Sequence, residues 1–351
     1  MASAMKACLF AAVVALWIHS ADCFVPGAMF APMKLSHMSS NNVDILAGSR
    51  KRGTSRSLGS LSMGTLGGFS MPNKLDAIVV ASGKAAAATS QATTFAAVAA
   101  TLFATAQGFP ALVAASLAVS SIGFIRSNWF FSLGYGLSMV AMACLSLWHF
   151  SAASTIPRVA LLHVCFVIAW GVRLSGFLAW RELFANKEWR TKTFAKKKQS
   201  PFFKKVMTWC FVAVFDALLF SPALFHLQSP TRFERAAYLG VAMQFVGLQL
   251  EAGADSQKSA WKAQNPTSPC RSGFYKLSRH ANYLGEIIFW AGTYVAGVGS
   301  LTGAVQWTTA TVGLAAILLV MLAASKNLDA RQAIKYKDDP EYAEYVQKTP
   351  C

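Results

Sequence analysis

Residues 268–286 read Ser-Pro-Cys-Arg-Ser-Gly-Phe-Tyr-Lys-Leu-Ser-Arg-His-Ala-Asn-Tyr-Leu-Gly-Glu and run directly into the apolar sequence Ile-Ile-Phe-Trp at 287–290. The change from a polar, basic stretch to an apolar one predicts a loop at the mouth of a membrane helix. Tyr283 and Glu286 are three residues apart and therefore share a face of that helix. Such a loop suits a charged small molecule, because six of its side chains can hold an anion or a planar ring: Arg271, Tyr275, Lys276, Arg279, His280 and Asn282.

The composition around this stretch is that of an integral membrane protein. Of the 351 residues, 54% are hydrophobic and only 13% are charged, and the mean hydropathy is +0.41. We therefore predict an all-α, polytopic membrane bundle of seven to eight transmembrane helices. Clear spans are expected at about 129–148, 158–180, 205–227, 236–253, 281–299 and 303–324, and a broken span or tight hairpin is expected over 93–106 and 109–125.

The formal charge of +17 is explained by membrane topology and anionic ligands rather than by nucleic acid. The basic residues lie in the leader and in short loops between apolar runs, and no nucleic-acid recognition module accompanies them. The loop 181–205 carries nine Lys and Arg against two acids, and the loop 254–280 has Asp255 as its single acid. The seven cysteines include no Cys-x-x-Cys and no zinc-type Cys/His spacing, so we predict no metal site.

The first 73 residues have the composition of a targeting leader. Residues 1–23 combine Lys6 with a short apolar core, as a signal peptide does, and residues 24–73 are rich in Ser and basic residues and contain one acid. Together they resemble the two-part plastid leader of algae with complex plastids. The alternative is an endoplasmic reticulum signal followed by a disordered linker. The membrane domain is expected over residues 88–351.

Two acids inside or at the edge of predicted spans point to a functional site. Glu251, Asp255 and Lys258 are spaced to share one helical face. Glu251 and Glu286 are informative because a carboxylate in a membrane is costly and is usually paired or functional. The alternative is that Glu251–Lys258 and Glu286–Arg279 are simple ion pairs at the membrane interface.

Several of these stretches resemble one known family. Residues 279–286, Arg-His-Ala-Asn-Tyr-Leu-Gly-Glu, are similar to the RHPNYFGE signature of the steroid 5-alpha-reductase-like family, in particular of its DUF1295 branch. Residues 251–258 resemble that branch's EAxADxQK segment, residues 170–174 resemble its WGLRL span end, and residues 340–349 resemble its tail. The resemblance covers roughly residues 125–351.

The resemblance implies a membrane reductase that transfers hydride from NADPH to an activated carbon–carbon double bond of an apolar lipid such as a sterol, steroid or isoprenoid. A hydrogen-bond donor or acid must then polarise the substrate, and Tyr135 and Glu251 are the catalytic candidates by position. The implied cofactor-binding residues are Asp255, Lys258, Arg279, His280, Asn282, Tyr283 and Glu286, together with Arg173 and Tyr342.

Two departures from the family pattern keep other functions open. Ala281 stands in place of the signature's proline, and the family's DxxWGLGF segment appears as residues 128–135, Asn-Trp-Phe-Phe-Ser-Leu-Gly-Tyr. One alternative is a methyltransferase of the isoprenylcysteine type that uses S-adenosylmethionine, although such enzymes carry two adjacent acids where this chain has only Asp329. The other is a lipid-binding relative without catalytic activity.

Overall fold

The structure, a computed structural model, describes residues 93–94, 97–98, 108–153, 156–184 and 201–351. All of these except Thr93 and Thr94 belong to one compact unit. The described residues are all helical or irregular and contain no strand, which confirms the all-α class. The leader, with its predicted signal and transit segments, lies outside them, as does most of the predicted first span.

Eight α-helices follow one another through the described part of the chain. Short 3₁₀ turns at Ser121–Phe124, Ser127–Phe130 and Gly273–Lys276 connect or precede some of them. The helices are α1 (Phe109–Ser120), α2 (Leu133–Ala153), α3 (Arg158–Phe184), α4 (Phe202–Gln228), α5 (Glu234–Gln264), α6 (Ala281–Gly297), α7 (Ala304–Lys335) and α8 (Pro340–Lys348).

Four of these helical segments are long and apolar enough to cross a membrane: Ser127–Ala152, Arg158–Glu182, Phe202–Gln228 and Ala304–Lys335. The chain therefore has the helices of an integral membrane protein. Each of the six clear spans predicted from sequence coincides with one of the helices α2–α7. Helix α5 carries charged residues over its last three turns, and α6 has only 17 residues, so neither meets the same measure.

Helices α5 and α6 pack backbone against backbone along a line of glycines. A Cβ placed at Gly240 or Gly247 of α5 would meet the backbone of α6, and a Cβ at Gly285 or Gly292 would meet that of α5. Small residues allow this approach, and close packing is what holds helices together in lipid, where burial of apolar surface contributes little. The seam brings Glu251 of α5 beside the first turns of α6.

The C-terminal segment, residues 336–351, returns to the loop that precedes α6. Asp339 caps α8 by accepting a hydrogen bond from the Tyr342 amide at 3.1 Å. The Tyr345 hydroxyl donates to the Tyr275 carbonyl at 2.7 Å, and the Arg279 amide donates to the Pro350 carbonyl at 2.9 Å. The C-terminal segment therefore covers the polar end of α5, α6 and α7.

Candidate functional site

A buried cation with two acidic partners joins α3 to α5. The Arg173 guanidinium donates to Glu251 Oε1 at 2.6 Å and to Asp255 Oδ2 at 2.5 Å, and it also bonds the Glu251 carbonyl at 3.1 Å. The Trp170 indole donates to the other Glu251 oxygen at 2.7 Å. The side chains of Arg173 and Glu251 are each only 3% exposed. Glu251 and Asp255 therefore lie on one face of α5, as their spacing predicted, and that face contacts Arg173 of α3.

A second buried carboxyl lies among aromatic rings. The Tyr135 hydroxyl donates to Glu286 Oε1 at 3.2 Å, which joins α2 to the first turns of α6. The Tyr135 ring lies edge-on to Trp170 at 5.1 Å, and Trp170 is edge-on to Trp290 at 4.9 Å. Trp170 also stacks on Phe289 at 5.5 Å. Tyr135 and Glu286 thus form a polar pair at the edge of an apolar aromatic cluster.

Arg279 connects α6 to α7 and to the C-terminal segment. Its Nη2 lies 2.8 Å from Asp329 Oδ2, and its Nη1 donates to the carbonyls of Val346 and Thr349 at 3.0 and 2.6 Å. The adjacent His280 places Nε2 at 2.7 Å from Asp329 Oδ1. Burial lowers the pKa of His280 below its usual value and outweighs the opposing effect of Asp329.

A cleft opens among α5, α7, the loop before α6 and the C-terminal segment. Its volume is about 310 Å³ when its open mouth is included. Burial raises the pKa of Tyr345 to about 12, so that its hydroxyl remains a hydrogen-bond donor. The lining combines three cations, three phenol rings and small groups: Lys258, Lys262, Arg279, Tyr275, Tyr336, Tyr345, Pro269, Cys270 and Gln332.

The predicted cofactor residues are divided between this cleft and its surroundings. Lys258 and Arg279 line the cleft, and Lys258 lies 5.6 Å from the centre of the Tyr275 ring. Tyr283 stacks on His280 at 5.6 Å, and Asn282 is half-buried in the first turn of α6. Tyr342 is buried in the C-terminal segment, where its hydroxyl reaches Gln332 at 3.5 Å.

The ion pairs in the structure differ from the interfacial pairs considered from sequence. Glu251 pairs with Arg173 rather than Lys258, because α3 brings its guanidinium into the interior beside α5. Glu286 contacts Tyr135, whereas Arg279 pairs with Asp329. The charged residues of the site are therefore held between helices rather than along one helix.

Sequence reasoning passed over several buried polar groups inside the bundle. Asp216 of α4 is fully buried and accepts a hydrogen bond from the Ser116 hydroxyl at 2.8 Å. His163 and His226 are both buried and have Nδ1 atoms 3.0 Å apart. Asp216 could have been identified from the sequence, since an acid within an apolar run is unusual in a membrane helix. The contact between the histidines had no signal in sequence.

Comparison with known proteins supports the resemblance at the level of the family. A family model described as "Protein of unknown function (DUF1295)" matches residues 123–349. No curated protein and no solved structure matches the chain. The matched segment begins just before the Ser127–Phe130 turn and includes α2–α8 with the cleft and both buried acids. Because this match covers well over half of its length, the chain belongs to the DUF1295 family.

Proposed function

We propose that this protein is an NADPH-dependent membrane reductase that transfers hydride to an activated carbon–carbon double bond of an apolar lipid. The observation that carries the proposal is that one helix, α5, reaches both environments: Lys258 and Lys262 line the cleft, and Glu251 accepts a hydrogen bond from Trp170 of the aromatic cluster. An anionic cofactor and an apolar substrate require these two environments to be adjacent. Sterols, steroids and isoprenoids are the substrate classes that suit such a site.

The cleft has the donor set that the anionic part of NADPH needs. Lys258, Lys262 and Arg279 supply three cations, and Arg binds phosphate through paired hydrogen bonds. The phenol rings of Tyr275 and Tyr336 provide flat surfaces for a base or a nicotinamide. In this proposal Asp255, His280, Asn282, Tyr283 and Glu286 complete the cofactor-binding region.

Tyr135 and Glu286 are the groups that we assign to proton delivery. Bound NADPH supplies the hydride. Burial of a carboxyl in apolar surroundings favours the neutral acid, and a neutral acid or a phenol can donate a hydrogen bond to a substrate carbonyl. Glu251 accepts bonds from Trp170 and Arg173 and is assigned to holding α3 against α5 rather than to proton transfer.

The first test is the thermal stability of the detergent-purified protein with added nucleotide. A ligand that binds only the folded state at 100 times its Kd stabilises that state by about 2.7 kcal/mol. We expect the unfolding midpoint to rise with NADPH, to rise less with NADH, and to remain unchanged with S-adenosylmethionine. The 2′-phosphate of NADPH, which NADH lacks, is the additional group for the cations of the cleft to bind.

Substitution of one cleft lysine makes this test specific. Lys258→Met should weaken NADPH binding about tenfold or more, because a charged hydrogen bond contributes about 1.5–3 kcal/mol. Lys326→Met is the matched control, since Lys326 is exposed on α7 and is not among the residues that line the cleft. Equal NADPH affinity in both variants would contradict the cleft assignment. A shift with S-adenosylmethionine alone would favour methyl transfer, and no shift with any nucleotide would favour a lipid-binding protein.

We further propose that the protein resides in a plastid membrane. The support is the order of an apolar signal-like segment, residues 1–23, and an acid-poor, Ser-rich segment, residues 24–73. Residues 1–73 fused to a fluorescent protein should direct it to the plastid of an alga with complex plastids. Retention of the fusion in the endoplasmic reticulum would contradict this location and support the alternative.

A further inference from the structure

Three side chains with different metal-binding atoms meet beside the cleft. His280 Nε2, an Asp329 carboxylate oxygen and Cys351 Sγ all lie within 4.8 Å of one another. His280 stands at the start of α6, Asp329 lies on α7, and Cys351 lies three residues after the end of α8. We propose that this cluster binds a divalent cation of the zinc class, and the proposal does not depend on the reductase assignment.

The donor atoms suit zinc in both type and spacing. Zinc in proteins takes imidazole nitrogen, thiolate sulfur and carboxylate oxygen, at about 2.0–2.3 Å. In a tetrahedral arrangement those bond lengths separate neighbouring donor atoms by about 3.3–3.6 Å. His280 Nε2 and Asp329 Oδ1 are 2.7 Å apart and share a hydrogen bond. An ion would replace that bond after a separation of less than about 1 Å.

The groups around the cluster already orient two of its donors. Arg279 donates to Asp329 Oδ2 through Nη2 at 2.8 Å and, more weakly, to Oδ1 through Nε at 3.5 Å, and Oδ1 lies 2.7 Å from His280 Nε2. The His280 ring is stacked on Tyr283, and the residue is only 2% exposed. Outer partners of this kind fix the orientation of metal ligands. Asp329 and a Cys351 thiolate would offset the charge of a divalent ion, and Arg279 would keep its carboxylate partner.

A bound ion would join three separate parts of the chain. The Arg279 side chain contacts the C-terminal segment through the Thr349 carbonyl at 2.6 Å, and it also lines the cleft. Coordination by Cys351 would add a strong link between that segment and α7. Three protein donors leave one tetrahedral position for water or another ligand, as in zinc sites that are not fully enclosed by protein.

The experiment is a titration of the full-length, reduced, detergent-purified protein with Co²⁺, followed by displacement with Zn²⁺. We expect Co²⁺ to give visible bands of tetrahedral coordination and a thiolate-to-metal charge-transfer band in the near ultraviolet, and we expect Zn²⁺ to abolish both. Cys351→Ser should remove the charge-transfer band and weaken Co²⁺ binding at least about tenfold, because it removes a direct ligand. Cys351 is exposed, so this change should leave the fold intact.

Two matched controls separate the site from general effects on the protein. Cys210→Ser removes another exposed thiol, on α4, and should leave the Co²⁺ spectrum unchanged. Asp329→Asn should weaken binding, whereas Asp338→Asn, at an exposed acid beyond α7, should not. Absence of Co²⁺ binding in the parent protein, or an unchanged charge-transfer band in Cys351→Ser, would overturn the proposal. The thermal unfolding midpoint of each variant, measured with and without Zn²⁺, would check that it is folded.

Discussion

Glu251→Gln is expected to destabilise the protein by about 1–3 kcal/mol, the usual cost of leaving a buried hydrogen-bond donor without its acceptor. The substitution removes the charge that Arg173 pairs with at 2.6 Å, and it leaves the guanidinium buried with Asp255 as its remaining acidic partner. The Gln amide also presents N–H groups toward the donors of Arg173 and Trp170. The measurement is equilibrium unfolding of the purified protein in mixed detergent micelles.

The chain offers a close control for this effect. Glu182 also accepts hydrogen bonds from an arginine and an indole, Arg126 and Trp129, but the Arg126 side chain is 44% exposed. Glu182→Gln should therefore cost at most about 1 kcal/mol, as exposed pairs do. Adding both Arg173→Met and Asp255→Asn to Glu251→Gln should recover part of the loss, because no buried charge is then left without a partner. Equal costs for the two Glu→Gln changes would contradict the importance of burial at Glu251.

Gly247→Ala is expected to destabilise the protein by about 1–3 kcal/mol through overpacking of the α5–α6 seam. A Cβ at this position would lie 2.5 Å from the Phe289 amide nitrogen and 2.6 Å from the Gly285 carbonyl oxygen. The two backbones would have to separate, which would also shift Glu251 relative to the first turns of α6. The same unfolding measurement applies, and NADPH affinity should fall with stability if the proposed site depends on the seam.

Gly176→Ala provides a control of opposite sign. Gly176 lies within α3, and a Cβ there meets nothing within 4 Å. Alanine is more favourable than glycine in a helix interior by about 1 kcal/mol, so this variant should be as stable as the parent or more so. A stability gain in both variants would show that the α5–α6 seam tolerates a methyl group and would contradict the close-packing account.

Local features of the sequence were sufficient for much of the fold. The apolar runs predicted α2–α7, and the spacing of Glu251, Asp255 and Lys258 correctly placed them on one helix. Four segments have the length and hydropathy of a span, while α5 and α6 are more polar or shorter.

The candidate zinc site illustrates what local patterns miss. His280 and Asp329 are 49 residues apart, and Cys351 follows on a segment that the sequence does not link to either. Metal-site motifs are recognised when several ligands occur at short, regular spacings. The absence of such spacing led to the prediction of no metal, and the return of the C-terminal segment to α6 is what assembles the cluster.

The sequence by itself determined the class of protein, the approximate helices and the polar character of the end where the site lies. These properties depend on hydropathy and spacing within one segment. Only the tertiary structure decided which charges pair, because Arg173 and Glu251 are 78 residues apart and Arg279 and Asp329 are 50 apart. Their pairing depends on how each helix is rotated against its neighbours, and that rotation is set by close contacts such as the glycine seam between α5 and α6.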